Sequence, residues 1–191
     1  MMPAPLYLLF LLVVGAERLA ELVLSKRHQR EMAAEGIEKV PERHFTWMVA
    51  VHTGVLVAAY AEVALLNRAF QPGLAVAMGV IFVVATLLRI WVIRTMRTHW
   101  NVEVMASAPL GVVTTGPYRF VRHPNYLAVV LELAAIPLIH GAWLTAIVGS
   151  LANAWVLMHR LAVEERVLLA DPTYRAAMGP KARFVPGVFY A

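Results

Sequence analysis

The sequence predicts an all-α, polytopic membrane protein with five transmembrane helices, the last two forming a helical hairpin. Of its 191 residues, 60% are hydrophobic and only 15% are charged, and the mean hydropathy is +0.66. Ordinary soluble domains of this size do not have such a composition. The bilayer is therefore the expected solvent of most of the chain.

Five apolar stretches account for the predicted helices. The three that can cross a hydrocarbon core of roughly 30 Å as helices are Pro3–Leu24, Phe45–Leu66 and Leu74–Ile93. A shorter stretch, Tyr126–Ile139, and a last one, Trp143–Met158, flank a His-Gly-Ala turn and predict a tight hairpin. We find no internal repeat or second domain, so residues 1–191 are predicted to form one domain.

Basic residues are concentrated in two of the connecting segments. Ser25–His44 and Arg94–Asn125 carry several lysines and arginines each, whereas Asn67–Gly73 has only Arg68. By the positive-inside rule, we expect both basic segments and the tail from His159 onward in the cytoplasm, and the N-terminus outside. The predicted location is a cell (inner) membrane, with the first apolar segment retained as an anchor because no basic residue precedes it.

Charge and residue types exclude several kinds of partner. The net charge is +5, but the basic residues flank apolar runs instead of forming one face, which indicates membrane lipids and not nucleic acid as the partner. The absence of cysteine excludes thiolate catalysis and cysteine-ligated zinc. The seven histidines include no pair at the spacing i, i+4, so no metal site is predicted.

The most informative segment is Gly116–Tyr126, with the sequence GPYRFVRHPNY, which leads into the fourth helix. Its first two residues can set a tight turn, and Pro124 suits a first helical turn because it lacks an N–H. We expect the N–H groups of Asn125, Tyr126 and Leu127 to be free donors at a positive helix end, able to hold a carboxylate or phosphate. A helix start with interfacial arginine and tyrosine anchors explains the same residues.

A second cluster, His159–Arg166, follows the fifth apolar stretch. If the helix continues, Arg160 and Glu164 are four residues apart and share a face, while Glu165 points elsewhere. A guanidinium at the membrane boundary can hold a carboxylate with two parallel hydrogen bonds, and a carboxylate can accept from an amino group or ribose hydroxyls. The alternative is an ordinary helix salt bridge with anchoring at the headgroups.

Ionisable residues also lie within the predicted spans. They are His52 and Glu62 in the second, Arg89 in the third and Glu132 in the fourth. Such residues mark function or pair within the bundle, and Glu132 has the strongest case for touching a ligand. The segment 99–101, which follows the third helix, is left outside the predicted site, and tryptophans are assigned interfacial or packing roles.

The two clusters together resemble the isoprenylcysteine carboxyl methyltransferases and, more distantly, the phospholipid N-methyltransferases. The resemblance covers residues 110–186 and consists of Gly116–Tyr126, an apolar hairpin, Arg160–Leu169 with its Glu164-Glu165 pair, Tyr174, Arg183 and Pro186. It implies a membrane-bound O-methyltransferase that uses S-adenosylmethionine and acts on a lipophilic or prenylated acceptor. Upstream, residues 16–32 resemble a bacterial subgroup that methylates alkylpyrones and alkylresorcinols, so a hydroxyl is the alternative acceptor to a prenylcysteine carboxylate.

The resemblance also assigns roles to individual residues. It implies that the cofactor pocket is lined by Leu110, Gly111, Val112, Val113, Tyr118, His123, Pro124, Asn125, Tyr126 and Glu164. It implies catalytic roles for Arg160 and Glu164, with Arg160 also binding the acceptor. A carboxylate acceptor is ionised at neutral pH and needs no base. A hydroxyl acceptor can require one, for which His123 or a carboxylate is a candidate.

Two other kinds of protein remain open at this point. A membrane reductase of the sterol-reductase type shares a Pro-Asn-Tyr segment, but it uses NADPH and needs basic residues for the 2′-phosphate. A non-enzymatic scaffold would use its polar residues as anchors and leaves their clustering unexplained. Cofactor binding distinguishes the three kinds of protein: a methyltransferase binds S-adenosylmethionine, a reductase binds NADPH, and a scaffold binds neither.

Overall fold

The computed structural model describes residues 4–41, 44–105 and 111–187. Within these residues the chain is all-α, as predicted. The six α-helices are α1 (Ala4–Ala34), α2 (His44–Leu65), α3 (Pro72–Met96), α4 (Pro124–Leu138), α5 (Trp143–Leu168) and α6 (Pro172–Met178). Single 3₁₀ turns follow α3 at Arg97–His99 and precede α4 at Gly116–Arg119.

Two helices are longer than the apolar stretches that predicted them. α1 continues beyond Leu24 to Ala34, and α5 continues beyond Met158 to Leu168. The extension of α1 is rich in residues with high helix propensity, and Arg27 and Glu31 form a pair at 2.9 Å across one turn. An apolar run therefore marks the part of a helix suited to lipid, not the point where the helix ends.

The short helix α6 was not predicted. It begins after Asp171, whose carboxylate accepts a hydrogen bond of 2.8 Å from the backbone N–H of Tyr174. Pro172 occupies the first helical position, where its missing N–H costs nothing. The helix therefore begins at a good cap. With seven residues, it is too short for its apolar residues to show a helical period in the sequence.

Among the residues that the structure describes, three helices are long and apolar enough to cross a membrane: α2, α3 with its continuation to His99, and α5. α1 is longer than any of them but carries Glu17, Arg18 and Glu21, and α4 has only 15 residues. The chain is a multi-pass membrane protein on these grounds. The predicted total of five spans stays a prediction.

The helices form a bundle in which α3 packs on α4, α2 packs on α5, and α4 and α5 pack on each other as the predicted hairpin requires. α1 crosses the bundle at one end, where the buried Tyr7 hydroxyl donates to the Ile136 carbonyl at 3.1 Å. Leu11 and Val14 continue this contact against Ala59 of α2. Apolar packing therefore closes the end of the bundle near the α4–α5 turn.

Charges buried inside the bundle neutralise one another. Arg89 binds Glu132 with two nitrogens, and Arg18 lies 2.9 Å from Glu21 and 3.5 Å from Glu132. An unpaired charge in this environment would cost several kcal/mol, so two arginines and two glutamates satisfy each other. Glu132 is 4% exposed and pairs with arginines inside the bundle. This is the second of the two roles that the sequence allows for it.

Glu62 has an equally specific structural partner. Its carboxylate accepts from the backbone N–H groups of Leu144 and Thr145 at 3.1 and 2.7 Å and forms an ion pair with Arg68 at 2.7 Å. The first N–H groups of a helix have no intrahelical acceptor, and the helix dipole favours an anion there. Glu62 of α2 therefore caps α5, and His52 also bonds within the protein, with its Nδ1 2.7 Å from the Met48 carbonyl oxygen.

Candidate active site

The segment before α4 is folded by a tight turn, as its sequence predicted. Gly116 has a φ of 56°, and a Cβ at this position would lie 2.4 Å from the Thr95 hydroxyl oxygen. Only glycine fits this left-handed conformation at such a close approach. The turn buries Tyr118, whose hydroxyl donates to the sulfur of Met96 at 2.8 Å.

The C-terminal tail is paired with this segment. Val121 and Ala182 form a parallel bridge. The backbone N–H of Arg122 donates to the Ala182 carbonyl, and that of His123 donates to the Arg183 carbonyl, each at 2.9 Å. Main-chain hydrogen bonds thus fix where α4 begins relative to the tail.

Glu165 is the charged centre of this junction. Its carboxylate accepts from the Arg183 guanidinium at 2.6 Å and from His123 Nε2 at 3.1 Å, and it lies 3.3 Å from Arg122 Nη1. The hydrogen bond to Glu165 raises the pKa of Arg183, which therefore stays a cation. Glu165 is not among the predicted site residues, because its side chain points away from that of Glu164, and this direction brings it to the tail.

Three residues predicted to bind the cofactor meet where α4 and α5 come together. The Tyr126 hydroxyl donates to the Glu164 carboxylate. The His123 ring stacks on Tyr126 with centroids 5.5 Å apart, and its Nδ1 lies 3.8 Å from Glu164. Because α4 and α5 are a hairpin, the start of one helix lies beside the end of the other.

One part of the predicted helix-end site is wrong. The N–H of Leu127 donates to the carbonyl of His123 at 3.3 Å, so it is not a free donor. The reason is that α4 begins at Pro124, which makes the His123 carbonyl the acceptor of the first helical hydrogen bond. The ligand-binding capacity of this end must therefore come mainly from side chains.

The two tyrosines near Glu164 are donors and not bases. Burial raises the pKa of Tyr118 and of Tyr174, and the negative charge of Glu164 raises both further. Both hydroxyls therefore remain protonated at neutral pH. Tyr174 is carried by α6, so the unpredicted helix supplies one wall of the site.

A cavity of about 730 Å³ connects these elements. Most of the residues predicted to form the site line it, namely Gly111, Val112, Val113, Tyr118, His123, Asn125, Tyr126, Arg160 and Glu164. Pro124 is fully buried as the first residue of α4. Leu110 lies outside the residues that the structure describes.

Three of the buried polar atoms without a hydrogen-bond partner in the described ranges belong to residues at the polar end of this cavity. They are Trp100 Nε1, Arg122 Nε and Asn125 Oδ1. A buried polar atom without a partner costs about 1–3 kcal/mol, so these three atoms are candidates for contact with a ligand. Trp100 is 1% exposed, and the segment 99–101 that the sequence analysis left aside lies in the cavity wall.

Arg160 lies where the polar part of the cavity meets its apolar part. Its guanidinium donates to the Val102 carbonyl at 2.6 Å and contacts the sulfur of Met48. These contacts join α5 to α2 and to the segment after α3. Arg160 and Glu164 both line the cavity, as their shared helix face predicted.

Beyond Arg160 the cavity continues between α1 and α2. Its wall there is mainly apolar, and three of its side chains are more than half exposed on the outer surface of the bundle: Leu12, Leu19 and Val57. A surface of this kind in a membrane-spanning bundle faces lipid. The cavity thus joins a polar end, near the tail, to an apolar opening toward the bilayer.

The described helices thus form a membrane-spanning bundle that contains a cavity with a polar end and an apolar end. The sequence profile of the isoprenylcysteine carboxyl methyltransferase family matches residues 75–170, half of the chain, and the protein belongs to this family. The matched region runs from α3 to the end of α5. It contains the α4–α5 hairpin, Arg160 and the Glu164-Glu165 pair.

Similar proteins cover most of the chain. The uncharacterized protein YpbQ of Bacillus subtilis is 27% identical over 85% of this chain and 96% of its own length. An uncharacterized protein of Haemophilus influenzae is 30% identical over 80% of this chain and 89% of its own length. The solved eukaryotic intramembrane Ras methyltransferase shares the fold, with a TM-score of 0.54 and 22% identity over 78% of this chain, which spans 56% of that protein.

We predict that Glu165→Ala destabilises the protein by about 3–5 kcal/mol, because it leaves the buried Arg122 without its carboxylate. Denaturant unfolding in detergent micelles measures this loss. The matched control is Glu31→Ala, which breaks the exposed pair with Arg27 and should cost no more than about 0.5 kcal/mol. Equal losses in the two variants would show that Glu165 does not hold the junction together.

Proposed function

We propose that this protein is an S-adenosylmethionine-dependent O-methyltransferase that acts on a lipophilic acceptor at the cytoplasmic face of the membrane. The observation that carries the proposal is a continuous cavity that is polar at one end and open to lipid at the other. A reaction between a water-soluble methyl donor and a membrane-dissolved acceptor requires a site that both molecules can reach. Membership of the methyltransferase family supports the same reaction class.

The unpartnered atoms of the polar end fit the methyl donor. Trp100 Nε1 and Arg122 Nε are donors and suit its carboxylate, and the Asn125 carbonyl oxygen is an acceptor and suits its ammonium group or adenine amine. Glu164, held by the Tyr126 hydroxyl, offers a further acceptor for ribose hydroxyls or an amine. Donors and acceptors are therefore present in the kinds that the ligand requires.

The protein's own contribution to methyl transfer is placement and exclusion of water. The bound cofactor supplies an already activated methyl group on a sulfonium. Tyr118, Tyr174 and Met178 enclose the polar end together with Val112 and Val113, and this enclosure keeps water from the reacting atoms. Alignment of the acceptor oxygen with the methyl group lowers the barrier by making the step effectively unimolecular.

The acceptor is proposed to enter from the bilayer between α1 and α2. The apolar wall there suits a long hydrocarbon tail, and Arg160 at the inner end of the tail path suits an anionic or polar head. Both acceptor classes of the sequence analysis meet this description: an isoprenylcysteine-type carboxylate and the hydroxyl of a long-chain alkylpyrone or alkylresorcinol.

The rival cofactor, NADPH, fits less well. Its 2′-phosphate calls for cations whose charge is not already neutralised. Within the described residues, Arg18, Arg89 and Arg122 of the cavity wall are each ion-paired with a glutamate, and Arg160 lies on the acceptor side of the cavity. A non-enzymatic scaffold, for its part, gives no reason for unpartnered polar atoms beside a cavity.

We predict that the detergent-solubilised protein binds S-adenosylmethionine and not NADPH, as measured by titration calorimetry. Trp100→Phe should weaken this binding about tenfold, because one hydrogen bond to a charged group is worth about 1.5 kcal/mol. Trp91→Phe is the control, since Trp91 lies on the lipid-facing side of α3 and is about half exposed. Unchanged affinity for S-adenosylmethionine in Trp100→Phe would show that the Trp100 indole does not contact the cofactor. If the parent protein does not bind S-adenosylmethionine, the proposed function is refuted.

We expect Arg160→Lys to lower methyl transfer by roughly tenfold to a hundredfold, a loss of about 1.4 kcal/mol for each factor of ten. An ammonium keeps the charge, but it cannot hold the Val102 carbonyl and an acceptor at once with a planar fork. Transfer of labelled methyl into a lipid extract, with the product identified by mass spectrometry, measures the effect. The control is Arg166→Lys at an exposed position of α5; a normal rate in Arg160→Lys would leave Arg160 only an anchoring role.

The orientation of the site toward the cytoplasm has its own test. α1 ends beside the segment after α3, because the Val102 N–H donates to the Ser25 hydroxyl at 3.1 Å and His28 Nδ1 lies 2.7 Å from the Trp100 carbonyl. The basic ends of α1, α3 and α5 therefore belong to one side, which the positive-inside rule assigns to the cytoplasm. Reporter fusions within residues 25–44 and after Ala191 should both report cytoplasm, and an external signal from either would contradict this topology.

A further inference from the structure

Asn153 is a polar side chain in the membrane-spanning part of α5. It is 4% exposed, and it lines the cavity together with Arg160, which follows seven residues later on the same helix face. Seven residues make two helical turns and span about 10 Å along the helix axis. Asn153 therefore lies in the apolar arm of the cavity, well inside the level at which Arg160 is proposed to hold the acceptor's head.

The amide of Asn153 is not used by the protein. Within the described ranges it makes no hydrogen bond, and neither of its polar atoms is among the fully buried atoms that lack a partner, so the amide borders open space. The charged residues of the same wall differ in this respect, because Arg18 pairs with Glu21 and Arg89 with Glu132. A polar group in apolar surroundings is costly without a hydrogen bond, which makes this amide available for a ligand.

Two contacts show which part of α2 lies opposite Asn153. Met48 contacts Arg160, and a Cβ on Gly149 would lie 2.5 Å from a methyl group of Val55. The two helices therefore run antiparallel, and the middle of the stretch between Met48 and Val55 lies at the depth of Asn153.

His52 occupies this middle position and also lines the cavity. Its Nδ1 is 2.7 Å from the carbonyl oxygen of Met48, which can only accept, so Nδ1 carries the proton and Nε2 of the neutral ring is an acceptor. At one depth of the apolar arm, the Asn153 amide can thus donate a hydrogen bond and the His52 ring can accept one. A hydroxyl group, which both donates and accepts, suits this combination.

We propose that Asn153 is a specificity-determining residue that binds a hydroxyl group in the middle of the acceptor's chain, about 10 Å from the head that Arg160 holds. The inference rests on the proposed function, in which the acceptor lies along the cavity past Arg160. A plain hydrocarbon chain would leave the amide without a partner, whereas a chain hydroxyl satisfies it. This hydroxyl is a recognition group and is not the group that receives the methyl.

The test uses stearate and the positional isomers of hydroxystearate as probes, bound to the full-length protein in phosphatidylcholine nanodiscs. The isomer whose hydroxyl lies about 10 Å from the carboxylate should bind the parent about tenfold more tightly than stearate does, the gain expected from one hydrogen bond. Isomers with the hydroxyl beside the carboxylate or at the chain end should show no such gain. Asn153→Leu and Asn153→Ala should bind all the probes about equally, and the use of one bilayer for every protein cancels differences in partitioning.

The matched control is Ser150→Ala. Ser150 lies one turn before Asn153 and lines a groove between α4 and α5, which Asn153 also borders, but it does not line the main cavity. This variant should keep the preference for the mid-chain hydroxyl. A preference lost in Ser150→Ala and kept in Asn153→Leu would place the chain in the groove and overturn the proposal.

Thermal unfolding separates recognition from a structural role. Asn153→Leu should unfold at the parent's temperature or above it, because the amide gives up no hydrogen bond within the described residues. A lower unfolding temperature together with an unchanged hydroxyl preference would show that Asn153 serves only packing.

Binding is measured without a methyl donor, so this inference and the proposed function can fail separately. A parent without the hydroxyl preference, or a preference that survives in Asn153→Ala, would overturn the role of Asn153 and leave methyl transfer untouched. A parent that shows the preference but transfers no labelled methyl to any lipid would keep that role and refute the proposed function.

Discussion

Neutralisation of the buried carboxylate of Glu165 is the constraint on which the site depends. Arg122 and His123 come from the segment before α4, Arg183 comes from the tail, and Glu165 itself comes from α5. Glu165 and Arg122 are both buried, and neither charge would be stable there alone, so the segments that carry them come together around this ion pair. Their meeting point closes the polar end of the cavity and sets the start of α4 beside Glu164.

The same rule acts within the membrane and has a different consequence there. Arg18 and Glu21 of α1 reach Arg89 of α3 and Glu132 of α4 by ion pairs. α1 is therefore held to the bundle by its charged face and by packing at one end, and it does not need to pack tightly on α2 along its whole length. The space left between α1 and α2 is the apolar part of the cavity.

Features encoded by local pattern were predictable from the sequence, and features that depend on pairing at a distance were not. The helices follow from apolar runs, the turn at Gly116 from its residue types, and the approach of Tyr126 to Glu164 from the hairpin. The contact of Glu165 with Arg183 joins residues 18 positions apart, and the pairing of Glu132 with Arg89 joins residues 43 positions apart. The place of Trp100 in the cavity wall likewise depends on distant segments. Neither helical period nor turn chemistry contains that information.

Different parts of the chain form the two ends of the cavity. This separation is relevant to the choice of acceptor in the proposed reaction. The family match at residues 75–170 contains the start of α4, Arg160 and Glu164, which form the polar end, but it leaves out α1 and α2. Those two helices supply the lipid opening, Met48 and His52. A methyl donor is the same for every acceptor, so its pocket can stay unchanged while the α1–α2 wall varies. The part of the chain that the family profile does not cover therefore supplies the apolar wall of the proposed acceptor site.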